Sequence, residues 1–470
     1  MRIIELAFII IYLIICLLIG IFVSKRATSS EEEYWVGGRF LGKVSGAFAV
    51  YAVVGSASTI MGSAGLAYST GIPVAAAVAA GFALQFPLIA YIMAKPLLDR
   101  NICTLGDYFL ETIGGRRVQW LYSILTLVFM AAYIIPQLKA SGIIGHWLLG
   151  ERFNYSKVVF IMGIVYLIYS SIGGMWAVTI TDIMQGAVMF IGVMLLGVTI
   201  LVKNNLGELI EVATTSIPSI TKMNMAPLSV IGLAMIWGLW GLVAPMTVMR
   251  VLTMQNKKSA RKSLLLGSVF AALTIVMAIL VALTAAGMNP TLDNPDMAFI
   301  IVMEKYFPPI ICGFLVASLF AAIMSSTDSF LLSCSATIAR DIYKNLINPK
   351  ASEKKIIRIG MIATWVVGFI TIFISMGTLP LISLLAGWAA GGLISAFLAP
   401  LVIGMYWDGI TQSGVFYGML SGFLVFALLN ITNWVPALSE LLFAIPISAI
   451  ITYVVSSQSS QSGSLNKSKQ

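Results

Sequence analysis

Thirteen long apolar segments, separated by short polar loops, occupy most of this 470-residue chain. Each runs for about 17 to 30 residues, the length that an α-helix needs to cross a bilayer, whereas a barrel strand needs only about 10 residues. Lipid offers no hydrogen bonds to the backbone, so only helices and closed barrels can span it. Charged residues make up 10% of the chain, against about 25% in ordinary soluble domains. The sequence therefore predicts an all-α polytopic membrane protein.

Hydropathy places the spans and leaves a polar tail. The first apolar run is longer than the core of a typical signal peptide, and no small-residue cleavage site precedes Ser24, so we interpret it as a span. The tail 456–470 is rich in Ser, Gln and Lys and is predicted to be disordered. The predicted spans are 5–23, 45–69, 72–94, 118–143, 157–173, 178–202, 228–250, 263–287, 309–339, 357–376, 379–406, 412–430 and 438–455.

The basic residues predict the orientation of the chain. Loops 24–44, 95–117, 251–262 and 340–358, together with Arg250 and the C-terminal tail, hold 21 of the 28 lysines and arginines. Positive charge marks the cytoplasmic side, so we expect the N-terminus outside the cell membrane and the C-terminus in the cytoplasm. Basic residues spread over several membrane loops do not favour nucleic-acid binding.

The composition does not favour an enzyme. The four cysteines have no metal-type spacing, the single histidine (His146) lies in a predicted outer loop, and no polar stretch is long enough to fold a catalytic domain. We therefore expect no enzymatic activity, no cofactor and no obligate protein partner, with the lipid bilayer as the surroundings of the chain. The cysteines are Cys16, Cys103, Cys312 and Cys334.

The ninth predicted span carries an unusual row of small polar residues. At about 100° per residue, Ala322, Ser325, Ser326, Ser329 and Ser333 share one helical face. Polar residues are costly inside a membrane unless they face protein or water, which makes them candidates for a functional site. Small residues also pack helices closely, so a simple packing seam is the alternative.

The second predicted span contains a glycine-punctuated polar stretch, AVVGSAST (52–59) followed by GSAG (62–65). Such a stretch is typical of a broken helix whose freed carbonyls line a cavity and can coordinate Na⁺. Carbonyl and hydroxyl oxygens suit a small hard cation. Together with Ser325 and Ser326, the stretch could form a cage of five oxygens. Packing by small residues is again the alternative.

Two aspartates lie within the apolar spans. Asp182 lies about 6 Å along the helix axis from the cytoplasmic start of the sixth span, so its side chain could reach water. Asp328 is roughly 18 Å along a helix from Arg340, well inside the membrane. It points about 100° away from the serine face, so we expect it to contact a different neighbour.

Five sequence patches in a fixed order resemble the sodium:solute symporter family. The resemblance extends from the first span to about Gly422. The patches are EYWVGGR (33–39), GGMWAVTITDIMQG (173–186), Pro245 with Arg250, AAIMSS (321–326) and APLVIGMYW (399–407).

The resemblance implies the leucine-transporter-type fold, with two inverted five-helix repeats and 13 transmembrane helices in one domain, 1–470. The first repeat would cover 45–202 and the second 228–406, with an extra N-terminal span at 5–23 and two C-terminal spans within 412–455. It also implies a sodium site and an ion-release path through Asp182. The implied sodium ligands are the backbone oxygens of Ala52, Gly55 and Ala322 and the hydroxyls of Ser325 and Ser326. Gly55 replaces the larger residue often found there.

The implied function is sodium-coupled import of a small organic solute. The pantothenate-permease branch looks most similar, which favours a carboxylate such as pantothenate or another monocarboxylate; a proline-type amino acid or a sugar acid is the alternative. An arginine of that branch is absent here, where Ile143 lies, and Lys139 could replace it or reach the outer surface. The expected substrate-binding residues are Ser56, Thr59, Gln85, Gln137 and Trp237.

Two other modes of action stay open at this point. Proton coupling would need a buried titrating group, and Asp328 with Ser329 is the candidate for a proton or second ion site. A channel or sensor could also use this fold. A sensor should carry a signalling domain, and none follows Val455, while the polar candidates cluster at helix breaks and not along a continuous pore.

Overall fold

The computed structural model describes residues 2–27, 29–100, 102–112, 115–150, 153–172, 174–377 and 379–467. Within these ranges, ten helices are long and apolar enough to cross a membrane, and two bent helix pairs raise the number to twelve. A shorter apolar helix, Tyr155–Ile168, coincides with the remaining predicted span. The predicted helical membrane architecture is therefore confirmed, and the count of thirteen spans stays a prediction.

The N-terminal half contains the helices that form the first predicted repeat. Wide π-helical turns, Ser58–Gly62 and Ile89–Met93, connect two pairs of them. The helices are α1 (Ile3–Ala27), α2 (Glu31–Trp35), α3 (Lys43–Val54), α4 (Ser63–Thr70), α5 (Ile72–Leu88), α6 (Ala94–Leu98), α7 (Leu105–Thr112), α8 (Arg116–Leu149), α9 (Tyr155–Ile172) and α10 (Gly174–Lys203).

The C-terminal half contains the second predicted repeat and the final spans. A π-helical stretch, Thr337–Ile347, continues α16, and a short 3₁₀ turn, Pro295–Met297, precedes α15. The helices are α11 (Leu206–Ser216), α12 (Pro227–Val243), α13 (Pro245–Leu252), α14 (Lys257–Met288), α15 (Ala298–Tyr306), α16 (Pro309–Ala336), α17 (Glu353–Ser375), α18 (Ile382–Tyr406), α19 (Gln412–Thr432) and α20 (Leu441–Lys467).

Both predicted repeats open with a broken span. The axis bends by 68° between α3 and Ser58–Thr70, and by 47° between α12 and α13. The second break has a direct cause, because Pro245 lacks the N–H that would continue α12, and Ala244 before it takes an extended conformation. Each break leaves backbone groups without helical partners inside the protein.

The helix α16 lies at the centre of the bundle. Of its most apolar stretch, 83% of the residues are buried, whereas the figure for α1 is 28%. It packs against α8, α10 and α1, and also against α3 at the first break. The polar face predicted on this span is therefore enclosed by protein and does not contact lipid.

The four basic loops lie on one side of the molecule. Arg340, beyond the end of α16, pairs with Glu31 in the first loop and with Asp107 in the second, where Nε and Oδ2 are 2.8 Å apart. Lys257 in the third loop pairs with Asp99 in the second. This arrangement agrees with the charge count, which predicts that these loops share the cytoplasmic side.

The tail 456–470 begins within α20, and its predicted disorder stays a prediction. The helix α20 continues to Lys467, and residues 468–470 lie outside the described part of the chain. Extending an existing helix costs little because nucleation has already occurred. Ser456 is also buried, and its Oγ accepts a hydrogen bond from Thr411 N at 3.1 Å, which ties the start of this extension to α19.

Candidate ion and solute site

The first helix break and the serine face of α16 meet in the interior. Ser325 Oγ donates to Ala52 O at 2.9 Å and to Ala322 O at 3.2 Å. Ser326 Oγ donates to Val53 O at 3.4 Å. All of these residues are buried. The structure therefore brings together four of the five residues expected to bind sodium, across 273 residues of sequence for the pair Ser325 and Ala52.

The fifth residue, Gly55, marks the point where α3 ends. Its N–H still bonds to Tyr51 O, but its ψ of 79° leaves the helical region, which frees the carbonyls of the last turn. A Cβ at this position would overlap Met189 Cε of α10. Met189 thus fills the space that a larger residue would take, which explains why glycine stands here.

This arrangement supplies the chemistry that a sodium ion needs. The oxygens are uncharged carbonyls and hydroxyls, and a serine hydroxyl can act as donor to a carbonyl or turn its lone pairs to a cation. The hydroxyl of Ser325 already lies beside two carbonyls from different helices. A bound cation would replace these hydrogen bonds by direct contacts to the same oxygens.

Polar side chains continue from the break towards α8. Gln137 Oε1 accepts a hydrogen bond from Ala57 N at 3.1 Å. The hydroxyls of Ser56 and Ser58 are 2.6 Å apart, and Thr59 Oγ1 donates to Val54 O at 2.5 Å. Ser56, Thr59 and Gln137, predicted separately as solute ligands, therefore lie in one buried polar cluster.

Aromatic rings form the wall opposite this polar cluster. Trp237 stacks on Phe82 with ring centres 4.8 Å apart, and Tyr133 stacks on Trp240 at 5.1 Å. Tyr133 connects the aromatic wall to the polar cluster, since its ring lies 4.5 Å from that of Phe330 and its hydroxyl is 3.5 Å from Ser58 Oγ. Sequence reasoning did not identify Tyr133, although a tyrosine one helical turn before Gln137 was a usable signal.

Gln85 has a different role from the other predicted solute ligands. When its amide is oriented so that both ends are paired, it donates to Trp237 O and accepts from Gly241 N, each at 3.1 Å. Both groups belong to α12, so the amide connects α5 to the helix that ends at the second break. In this conformation Gln85 supports Trp237 and presents no polar atom of its own to a solute.

Two donors in the cluster lack partners among the residues that the structure describes. They are Gln137 Nε2 and Trp237 Nε1, and both side chains are buried. A buried donor without a partner costs about 1–3 kcal/mol. Trp237 lies 6.5 Å from Tyr133 by ring centres, and Gln137 follows Tyr133 by one helical turn. Oxygen atoms of a bound solute would satisfy both donors.

Asp182 is fully buried, so its side chain does not reach water. It forms an ion pair with Arg250 of α13, whose Nε donates to Asp182 Oδ2 at 2.9 Å. Arg250 also donates to Thr179 Oγ1 at 3.1 Å and to Ser329 Oγ at 3.2 Å. The snorkelling alternative is therefore wrong for this conformation. Sequence analysis noted Arg250 but did not identify it as the partner of Asp182.

The structure does not bring Asp328 and Ser329 into one site. Ser329 contacts Arg250, whereas Asp328 accepts a hydrogen bond from Ser170 Oγ of α9. The reason is helical geometry, because successive residues point about 100° apart. Asp328 therefore contacts a different neighbour from the serine face, as expected, and its role with Ser329 as a proton or second ion site stays a prediction.

Lys139 is mostly buried and its ammonium is held in an ion pair. It is 8% exposed, and its Nζ donates to Asp296 Oδ2 and to Pro380 O, each at 2.7 Å. Burial raises the pKa of the Asp296 carboxyl, and the Lys139 ammonium opposes that rise. This pair connects α8 to the loops before α15 and α18, and sequence reasoning did not find it.

Comparisons with known proteins agree with this geometry. The sequence model of the sodium:solute symporter family matches residues 34–422. The sodium/proline symporters of Staphylococcus aureus strains JH9 and COL are each 28% identical over 478 residues, covering 96% of this chain and 92% of the relative. These relatives do not support the pantothenate branch in particular.

Solved structures show the same fold. A substrate-bound, outward-open Na⁺-coupled sialic acid symporter superposes with a TM-score of 0.77 at 17% identity, covering 97% of this chain and 98% of the other. The nucleobase-cation-symport-1 family transporter Mhp1, in a closed conformation with bromovinylhydantoin bound, gives 0.53 at 18% identity, covering 90% and 95%. The architecture is therefore the leucine-transporter-type fold, as the sequence predicts.

Proposed function

Since the chain belongs to the sodium:solute symporter family, we propose that it couples the inward movement of Na⁺ to the uptake of a small organic solute across the cell membrane. The observation that carries this proposal is the contact of Ser325 Oγ with Ala52 O at 2.9 Å. It joins a hydroxyl of α16 to a carbonyl freed at the helix break. Ala52, Gly55, Ala322, Ser325 and Ser326 are the proposed sodium ligands.

The position of the proposed sodium cage gives a physical reason for coupling between Na⁺ binding and solute binding. It holds α3 against α16, and the polar cluster at Ser56 begins directly after α3 ends. A sodium ion that fixes the break also fixes the backbone beside the solute, so each ligand would bind more tightly in the presence of the other. Both proposed sites lie near the two helix breaks, and movement at these breaks would open them alternately to each side.

The proposed solute is a small molecule that bears a carboxylate. Two buried donors, Gln137 Nε2 and Trp237 Nε1, have no partner among the described residues and could each bind a carboxylate oxygen. No charged side chain is among the residues proposed to bind the solute. The rings of Trp237 and Phe82 offer an apolar surface beside them. Proline fits this combination of an apolar ring and a carboxylate, and the similarity to sodium/proline symporters favours it. Pantothenate or another monocarboxylate is the second candidate.

The inner closure of the pathway is proposed to be the pair of Asp182 and Arg250. It lies between the cage and the side of the basic loops, because Ser329, which contacts Arg250, is one turn beyond Ser325 on α16. For sodium to leave inward, Arg250 must move away from Asp182. The freed carboxylate would then attract the departing ion.

Purified protein in proteoliposomes tests the proposal. We expect an inward Na⁺ gradient without a pH gradient to drive accumulation of labelled proline. Unlabelled pantothenate and other carboxylates are then tested as competitors of this uptake. The control is the same membrane with K⁺ in place of Na⁺. Uptake that ignores Na⁺ and follows only a pH gradient would refute sodium coupling. Accumulation of a different carboxylate under the Na⁺ gradient would retain the coupling and reassign the solute.

A further inference from the structure

A cavity of about 630 Å³ lies at the end of the molecule opposite to the basic loops. It is open on one side and is bordered by α8, α9 and the loops that precede α15 and α18. Most of the lining surface is apolar, and Lys139 contributes a cation. The apolar side chains are Ile143, Trp147, Met297 and Leu379, and the polar ones are His146, Tyr155 and Asn294. A volume of this size is in the range of about 300–1,000 Å³ that small-molecule sites occupy.

The Lys139 ammonium is only partly used by its protein partners. An ammonium has three N–H donors, and the contacts described for Lys139 are to Asp296 Oδ2 and Pro380 O. Asp296 has another donor, since Ile382 N lies 3.4 Å from the same oxygen. The third N–H of the Lys139 ammonium can therefore donate to a further acceptor, while Asp296 keeps its hydrogen bonds to Lys139 and Ile382.

The walls select the kind of molecule that fits. A charge-assisted hydrogen bond is roughly twice as strong as a neutral one, so the remaining N–H of the Lys139 ammonium favours an anionic acceptor such as a carboxylate. The rest of the ligand faces aliphatic and aromatic side chains, which favours an uncharged apolar tail.

We propose that this cavity is a separate binding site for an aliphatic or aromatic monocarboxylate, held through Lys139 Nζ. It is distinct from the solute site at the helix breaks, which is formed by Gln137 and Trp237. Its occupant joins α8 to the loops before α15 and α18, the same segments that the Lys139–Asp296 pair connects. The site therefore binds its ligand without needing sodium or transport.

Photolabelling of the full chain in nanodiscs tests this site. The probe is a photoreactive diazirine derivative of pentanoate, used in Na⁺-free buffer, and labelled peptides are located by mass spectrometry. We expect labelling on the peptides that contain Trp147 and Met297. Hexanoate should compete with the probe at a concentration roughly tenfold or more below that needed for hexanamide, which has the same tail without the charge. Equal competition by acid and amide, or labelling elsewhere only, would overturn the proposal.

Two variants test separately the charge of Lys139 and the free volume of the cavity. Lys139→Gln should reduce labelling roughly tenfold or more. Because that change leaves Asp296 with fewer partners and can impair folding, Leu379→Trp provides an independent test: it fills the cavity, leaves the ion pair intact and should abolish labelling. Undiminished labelling of Leu379→Trp would overturn the site.

Matched controls distinguish a failure of this binding site from a failure of the proposed sodium-coupled uptake. Trp237→Ala, at the inner site, should label as the wild type does; loss of labelling in this folded variant would place the probe at the inner site and refute a separate one. Failure of sodium-driven uptake in proteoliposomes would leave the labelling result unchanged, because labelling requires neither an ion gradient nor translocation.

Discussion

Asp182 and Arg250 form a fully enclosed ion pair, in which Arg250 Nε lies 2.9 Å from Asp182 Oδ2 although the residues are 68 positions apart. The pair joins α10 to α13, and Arg250 extends the contact to Ser329 of α16. It thus lies between the proposed sodium cage and the basic loops. A buried ion pair is costly to desolvate, which would suit the proposed role of this pair as a contact that breaks during each transport cycle.

Breaking this pair from one side should affect stability and turnover together. Asp182→Asn leaves the Arg250 guanidinium buried without its counter-charge, so we expect a loss of about 3–5 kcal/mol in stability and slower turnover with solute affinity largely kept. The double variant Asp182→Asn/Arg250→Met should recover much of the melting temperature without recovering turnover. Wild-type turnover in the single variant would show that the pair plays no part in ion release.

Removing a hydroxyl from the proposed cage should weaken sodium binding. In Ser325→Ala or Ser326→Ala, the Na⁺ concentration for half-maximal uptake should rise about tenfold for each ~1.4 kcal/mol of binding energy lost. Ser333→Ala is the matched control, because Ser333 lies on the same face two turns away and donates to Ser329 O at 2.7 Å. If both cage variants keep the wild-type Na⁺ dependence, these serines are not ligands.

Gly55 and Met189 should behave as a coupled pair. Gly55→Ala forces its Cβ against Met189 Cε, so we expect a lower melting temperature and weaker Na⁺ dependence of uptake. Met189→Ala opens the space and should rescue the Gly55→Ala protein, with a coupling of about 0.5–3 kcal/mol in a double-mutant cycle. Additive effects of the two changes would mean that Met189 does not restrict this position.

Trp237 offers a separate test of the solute site. Trp237→Phe keeps an aromatic ring against Phe82 but removes Nε1, the donor that lacks a described partner. Solute affinity should fall about tenfold, as expected for one lost hydrogen bond of ~1.4 kcal/mol, while Na⁺ binding and the melting temperature stay close to wild type. Trp237→Ala should weaken the solute further. Unchanged solute affinity in both variants would remove Trp237 from the site.

Asp328 distinguishes sodium coupling from proton coupling. Its partner Ser170 belongs to α9, outside the proposed cage. Asp328→Asn should therefore leave Na⁺-driven uptake measurable with an unaltered Na⁺ dependence, even if the variant is less stable. The measurement is uptake into proteoliposomes under separate Na⁺ and pH gradients. Uptake driven by pH alone and abolished in Asp328→Asn would establish a proton carrier instead.

Sequence alone determined the features that depend on the bilayer or on local backbone chemistry. Lipid excludes unpaired backbone groups, so the apolar segments had to become helices, and their positions could be read directly. The stretch from Ala52 to Thr59 and the serine face of α16 were also visible, because polar residues inside an apolar span are costly unless they face protein or water. Their pairing was a correct expectation from the sequence and the family resemblance.

Only the tertiary structure decided which buried charges meet. Asp182 contacts Arg250, Asp328 contacts Ser170, and Lys139 contacts Asp296 over a separation of 157 residues. A local pattern shows that a buried charge needs a partner, but the partner depends on how helices cross and rotate against each other. The same limit applies to Ser456, because its hydrogen bond with Thr411 N at the start of α19 could not be read from the polar composition of this segment.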